Sequence, residues 1–211
     1  MPLRVRPVRR FTQLLVGLAL YGWSMAMLVR SQLGLDPWDV FHQGLTNQLP
    51  FSFGQVTMGV GALVLLLWIP LRHRPGIGTV LNVIVIGLAV DAGLALIPEA
   101  DGWVERIALL VAGVVANGLA GALYVGARLG TGPRDGLWVA LTARTGLSIR
   151  VVRTALELTV LGAGWLLGGT VGIGTLAYAV SIGPLVQLFL PWVQVPLPEP
   201  DPASETVPAT C

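Results

Sequence analysis

Lysine is missing altogether from the 211 residues, and all thirteen basic side chains are Arg. Cysteine occurs once, as the terminal Cys211, and histidine twice, as His42 and His73. A disulfide framework, a multi-cysteine metal site and a histidine-rich metal site are therefore excluded, and neither a metal nor another cofactor is expected. Charged residues make up only 11% of the chain, against about 25% in an ordinary soluble domain. What fills the space is apolar: 54% hydrophobic residues and a mean hydropathy of +0.75. A soluble fold of this length could not bury so much apolar side chain, which excludes a cytosolic enzyme or a secreted scaffold. The pI near 9.2 does not mark a nucleic-acid partner, because the Arg residues sit between apolar runs and not on a basic face.

Six runs are long enough to span about 30 Å of hydrocarbon as helices: 11–30, 53–71, 77–97, 104–127, 148–168 and 174–193. Two shorter segments, 37–49 and 133–145, reach only about 20 Å at ~1.5 Å per residue. The first run follows Arg4, Arg6, Arg9 and Arg10, and its length favours a transmembrane helix over a cleavable signal. The end of the chain carries Pro196, Pro198, Pro200, Pro202 and Pro208 with three acids and is expected to be disordered.

The chain repeats itself. Residues 14–97 align without a gap on 110–193, with LGLDPWD (33–39) on LGTGPRD (129–135) and GIGT (76–79) on GIGT (172–175). Apolar composition would match Leu with Leu, but not Gly, Pro, Asp and Thr in one register. Each unit reads as span, short helix, span, span. An odd number of crossings per unit inverts the second relative to the first. With a cytoplasmic N-terminus, eleven Arg lie inside and only Arg30 and Arg106 outside, as the positive-inside rule asks. The expected architecture is an all-α membrane protein of six transmembrane helices, built as two inverted three-span repeats, each with a short re-entrant or interfacial helix. The segments are a basic cytoplasmic N-terminus (1–10), repeat one (11–98), an external connection (99–106), repeat two (107–194) and the tail (195–211). Both termini would be cytoplasmic, in a bacterial plasma membrane.

Each short helix opens with Pro and then Asp. Pro suits the first helical position, where its missing N–H costs nothing, and Asp complements the positive helix end. Pro37, Asp39, Pro133 and Asp135 thus read as helix starters. They also read as a pair of half-helices whose N-termini face a solute site, as in transporters built from inverted repeats. On that reading Trp38, Asp39, His42, Arg134, Asp135 and Asn117 are candidate solute-binding residues. Arg134, beside flexible glycines at a helix N-terminus, suits a carboxylate or phosphate. Glu157 falls about 13 Å into its span with Arg153 one turn before it, and Asp91 lies inside the third span. Ionisable groups at such depths are functional candidates, here for ion or proton coupling. Asn117 also suits interhelical hydrogen bonding.

LGLDPWDVFHQGL and the stretch from RLGTGPRDGLW to SIGPLVQLFLP resemble the YczE/YyaS/YitT family of bacterial integral membrane proteins, from Phe11 to Pro191. The resemblance implies a small plasma-membrane protein and brings no established activity with it. Two functions fit. The first is a secondary transporter or exporter of a small polar solute. The alternative is a membrane accessory or regulatory protein that acts through protein contacts. No Ser/His pair and no GxGD-type aspartyl motif is present, so no enzymatic activity is expected. The expected partners are the lipid bilayer, a small polar solute and a second copy in a homodimer, with no nucleic acid.

Overall fold

The computed structural model describes residues 6–196, which form eight α-helices and no strand. They are α1 (Pro7–Ser31), α2 (Pro37–Gln48), α3 (Phe53–Leu71), α4 (Ile77–Leu96), α5 (Trp103–Ala127), α6 (Pro133–Thr145), α7 (Ile149–Leu166) and α8 (Ile173–Val193). Each boundary has a local cause. Asp36 caps α2 by accepting from the Trp38 and Asp39 N–H groups at 2.9 and 3.2 Å. Ser52 and Ser148 cap α3 and α7. Gln32 and Arg128 end α1 and α5 in the left-handed conformation.

Five helices, α1, α3, α4, α5 and α8, are long and apolar enough to cross a membrane. The sixth expected span, α7, has 18 residues and carries Arg150, Arg153 and Glu157, so it falls outside that group. Large apolar side chains such as Leu63, Leu88, Leu176 and Val180 point outward, as lipid requires. The basic N-terminal segment is partly helix. Arg10 belongs to α1, is buried, and donates to the Ala127 and Arg128 carbonyls at the end of α5, 2.9 and 2.8 Å away. Its guanidinium therefore satisfies a helix C-terminus and does not sit in an open loop. At the other end Val195 is buried and its N–H donates to the Gly126 carbonyl. The disorder expected of the tail falls on residues 197–211, which lie outside the described residues.

The packing follows the duplication. The helices α1 and α5 run antiparallel through the centre, with Gly17 against Leu123 and Tyr124 and Gly113 against Leu28. Helix α4 packs on α1 as α8 packs on α5, and α3 on α6 as α7 on α2. The GIGT turn of each unit docks on the LG turn of the other. The Gly174 N–H donates to the Leu33 carbonyl at 2.7 Å, and the Gly78 N–H to the Leu129 carbonyl at 3.1 Å. Gly34 and Gly130, in those LG turns, hold φ of +116° and +146°, which only glycine adopts without strain. The pattern breaks most clearly at the last two helices of each unit: α3 packs along α4, while α7 and α8 make no comparable contact.

Gly164 brings α7 onto the backbone of α2, where an added Cβ would stand 2.5 Å from the Phe41 nitrogen and Cα. Gly162, two residues earlier, has nothing within 4 Å. Gly164→Val is expected to destabilise by about 1–3 kcal/mol through overpacking, whereas Gly162→Ala is neutral. Thermal unfolding of the two variants in detergent checks the difference.

Candidate functional site

The short helices α2 and α6 meet at their N-termini. Arg134, in the first turn of α6, reaches the first turn of α2 with Nη2 3.4 Å from Asp39 Oδ1 and Nη1 3.8 Å from Asp36 Oδ1. The same guanidinium lies over the Trp38 ring, 5.2 Å from its centroid, and 3.5 Å from His42 Nδ1. His42 faces Asp39 one turn earlier, 3.2 Å away, with the Thr57 hydroxyl at 3.4 Å. From their N-termini the two helices diverge. Asn47, near the end of α2, donates to the Gly168 carbonyl after α7, and Arg144, near the end of α6, donates to the Pro70 carbonyl in α3.

The second unit adds Asp135, which accepts a short hydrogen bond from the Tyr124 hydroxyl of α5. Asn117 is buried at the middle of α5, donates to Ser24 Oγ at 2.8 Å and accepts from the Tyr178 hydroxyl at 2.9 Å. It thus ties α1, α5 and α8 together and borders the cavity described next. Asp36, Asp39 and His42 are all buried, and Asp36 Oδ2 and Asp39 Oδ2 have no hydrogen-bond partner. An unpaired buried acceptor costs about 1–3 kcal/mol, and more when it is charged.

Two cavities flank this junction. The larger, about 410 Å³, opens between α7 and α8 and reaches Asp36, Trp38, Asn117, Arg134, Asp135 and Glu157. The smaller, about 80 Å³, lies toward α3 and α4 and touches Trp38, His42, Thr57, Asn82, Arg134 and Asp135. Positions 57, 61 and 82 of the small cavity are the repeat mates of 153, 157 and 178 of the large one. They are one cavity in duplicate, small where α3 packs along α4 and large where α7 and α8 stand apart.

Residues 8–191 match the model of a family described as "Family of unknown function (DUF6198)". The chain belongs to this family. It is 41% identical over 177 residues to an uncharacterized protein of Haemophilus influenzae, covering 84% of this chain and 81% of that one. It is 34% identical to the uncharacterized membrane protein YczE of Bacillus subtilis, covering 87% and 86%. To the uncharacterized protein YyaS of the same organism it is 22% identical over 85% of this chain and 91% of that one. The resemblance to the YczE/YyaS group read from the sequence is thereby confirmed. No solved structure matches the chain.

The candidate residues do not all gather. Trp38, Asp39, His42, Arg134 and Asp135 form the junction, with Asn117 on the cavity wall. Arg134 faces Asp36 and Asp39 at 3.8 and 3.4 Å, so a carboxylate or phosphate would compete with them for the guanidinium. Arg153 and Glu157 pair at 2.8 Å on the cavity wall, with the Arg153 guanidinium 4.4 Å from the Trp138 ring centroid. Their side chains remain 49% and 35% exposed, so the pair faces the open cavity and not a packed interior. Asp91 stands apart. It accepts from the Ser52 hydroxyl at 2.5 Å and the Gly54 N–H at 2.7 Å, which clips α4 to the start of α3. Sequence reasoning left the tyrosines out of the site. All three in the chain, Tyr21, Tyr124 and Tyr178, line the large cavity, and their scarcity inside apolar spans was the available signal.

Removing Arg134 strands Asp36 and Asp39 in a buried site, which is expected to cost about 3–5 kcal/mol. Arg134→Gln should therefore unfold at markedly lower temperature in detergent. Asp39→Asn in the same chain should restore part of the loss, a coupling that a double-mutant thermal-stability cycle measures.

Proposed function

We propose that the protein is a secondary transporter or exporter of a small polar solute in the bacterial plasma membrane. On this reading it spans the bilayer six times, with both termini cytoplasmic and α7 as the sixth span. The helices α2 and α6 are re-entrant half-helices of two inverted repeats. The observation that carries the reading is the inequality of the duplicated cavity. A polar junction at the interface of the two units has a narrow cavity where α3 packs along α4 at one side and a wide one between α7 and α8 at the other. Exchange of the two packings between the units would close the open side and open the closed one. That is alternating access around a fixed site, the mode of transporters built this way.

Half-helix N-termini at the centre add support. Each carries a partial positive charge, and together they organise polar side chains where lipid supplies no partner. Arg153 and Glu157 line the open cavity on α7. The charges that weaken α7 as a plain apolar span suit a helix that borders a wet pathway.

Purified protein in proteoliposomes under an imposed proton gradient, tested against a panel of small amines, acids and neutral solutes, decides the reading. Gradient-dependent flux of at least one solute is expected. Asp135→Asn, whose amide oxygen still accepts from Tyr124, should keep the fold and lose the flux. Absence of flux for the whole panel would favour the accessory role, and full flux in Asp135→Asn would remove that residue from the site.

A further inference from the structure

A clip made in the first unit is unmade in the second, although its parts are present. Asp91 of α4 accepts from the Ser52 hydroxyl at 2.5 Å and the Gly54 N–H at 2.7 Å. Ser52 is the cap of α3 and Gly54 lies in its first turn. The repeat mates are Gln187 of α8, Ser148 and Arg150. Ser148 caps α7 as Ser52 caps α3, accepting from the Val151 N–H at 3.4 Å. Among the described residues, the Ser148 hydroxyl proton, the Arg150 N–H and the Gln187 amide have no hydrogen-bond partner. Gln187 lines the large cavity, at the gap between α7 and α8.

The two seats differ in size, and the acceptors differ to match. At residue 54 no side chain fits, because an added Cβ would stand 2.0 Å from the Gly87 carbonyl oxygen. Arg150 carries a Cβ at that place, so α7 must stay further from α8 than α3 does from α4. Gln187 has a side chain one methylene longer than Asp91 and still ends in an oxygen that accepts two hydrogen bonds. The far end of α7 is anchored. Gly164 rests on the α2 backbone, and the Leu167 and Gly168 carbonyls accept from Gln48 and Asn47. Ser148 lies about 24 Å of helix from Gly164, so a small tilt about this anchor carries the start of α7 several ångström.

We infer that α7 has a second seat, on α8, in which the Gln187 amide oxygen accepts from the Ser148 hydroxyl and the Arg150 N–H. This rests on the transporter reading and names what holds each side shut. Asp91 latches α3 to α4, and Gln187 latches α7 to α8. Charged acceptors form the stronger hydrogen bonds, so the neutral Gln187 is the weaker latch. That is why the chain rests with α3 on α4 and with α7 standing off α8.

Spin labels attached at Val151→Cys and Leu188→Cys, exposed positions on α7 and α8, test the inference in a full chain with Cys211→Ser in lipid nanodiscs. The natural latch should give a main long separation and a minor short one. Gln187→Glu supplies the stronger acceptor and should raise the ratio of short to long at least about fivefold. Ser148→Gly, which keeps most of the worth of the cap, should return most of that gain in the Gln187→Glu chain. An unchanged distribution in Gln187→Glu, or a gain that survives Ser148→Gly in full, would overturn the inference. Asp91→Asn separates it from the transporter reading, because loosening the first latch closes the second side only if the two units exchange packings. Shortening in Gln187→Glu without any in Asp91→Asn keeps the latch and contradicts alternating access. Gradient-driven flux without shortening in Gln187→Glu keeps transport and removes the latch.

Discussion

Two helix N-termini pointing at each other repel, and the fold is organised around the carboxylates that make this meeting possible. Asp36 caps α2, Asp39 and Asp135 sit in the first turns of α2 and α6, and Arg134 crosses from one helix to the other. Without the acids, two positive helix ends and a guanidinium would face one another between apolar spans. Without Arg134, two adjacent carboxylates would do so. The consequences run outward. Because the short helices begin at the centre and diverge, each can lie against the third helix of the other unit. That placement fixes α3 on α6 and α7 on α2.

Small residues make the rest of the packing possible. Gly17 and Gly113 let α1 and α5 approach along the central axis, and Gly164 lets α7 rest on the backbone of α2. In a bilayer, where apolar side chains gain little by leaving lipid, such close backbone contact and interhelical hydrogen bonds are what hold helices together. Asn117, bonded to Ser24 and Tyr178, and Asp91, bonded to Ser52 and Gly54, are the polar counterparts of these glycines.

Much of this was legible before any coordinates, for physical reasons. Apolar runs bounded by Ser52, Ser148, Gly76 and Gly172 mark helix starts to within a residue or two, because caps and glycine turns are local chemistry. The Pro-x-Asp pattern marks both short helices for the same reason. What escaped is what depends on partners far along the chain. Arg10 reads as a loop cation, yet it is buried against the end of α5, more than a hundred residues away. Asp91 reads as a coupling group, and its neighbours Ser52 and Gly54 become visible only when α3 and α4 are side by side. Asp36, the cap of α2, meets Arg134 of the other unit only in three dimensions. The separation of α7 from α8 coincides with changes at the contacts that join α3 to α4, since Gly54, Met58 and Asp91 have Arg150, Thr154 and Gln187 as their mates.

The account turns on that separation being one of two states. Gly87 of α4 lies against Met58 of α3, while the repeat mate Gly183 of α8 has nothing within 4 Å. The mate of Met58 is Thr154. In a chain with Cys211 replaced by Ser, the pairs Met58→Cys with Gly87→Cys and Thr154→Cys with Gly183→Cys can be oxidised separately in native membranes. If the two units exchange their packings, both pairs form disulfides, each trapping one state. A disulfide confined to the first pair, however long the oxidation, would mean a fixed asymmetry and contradict alternating access.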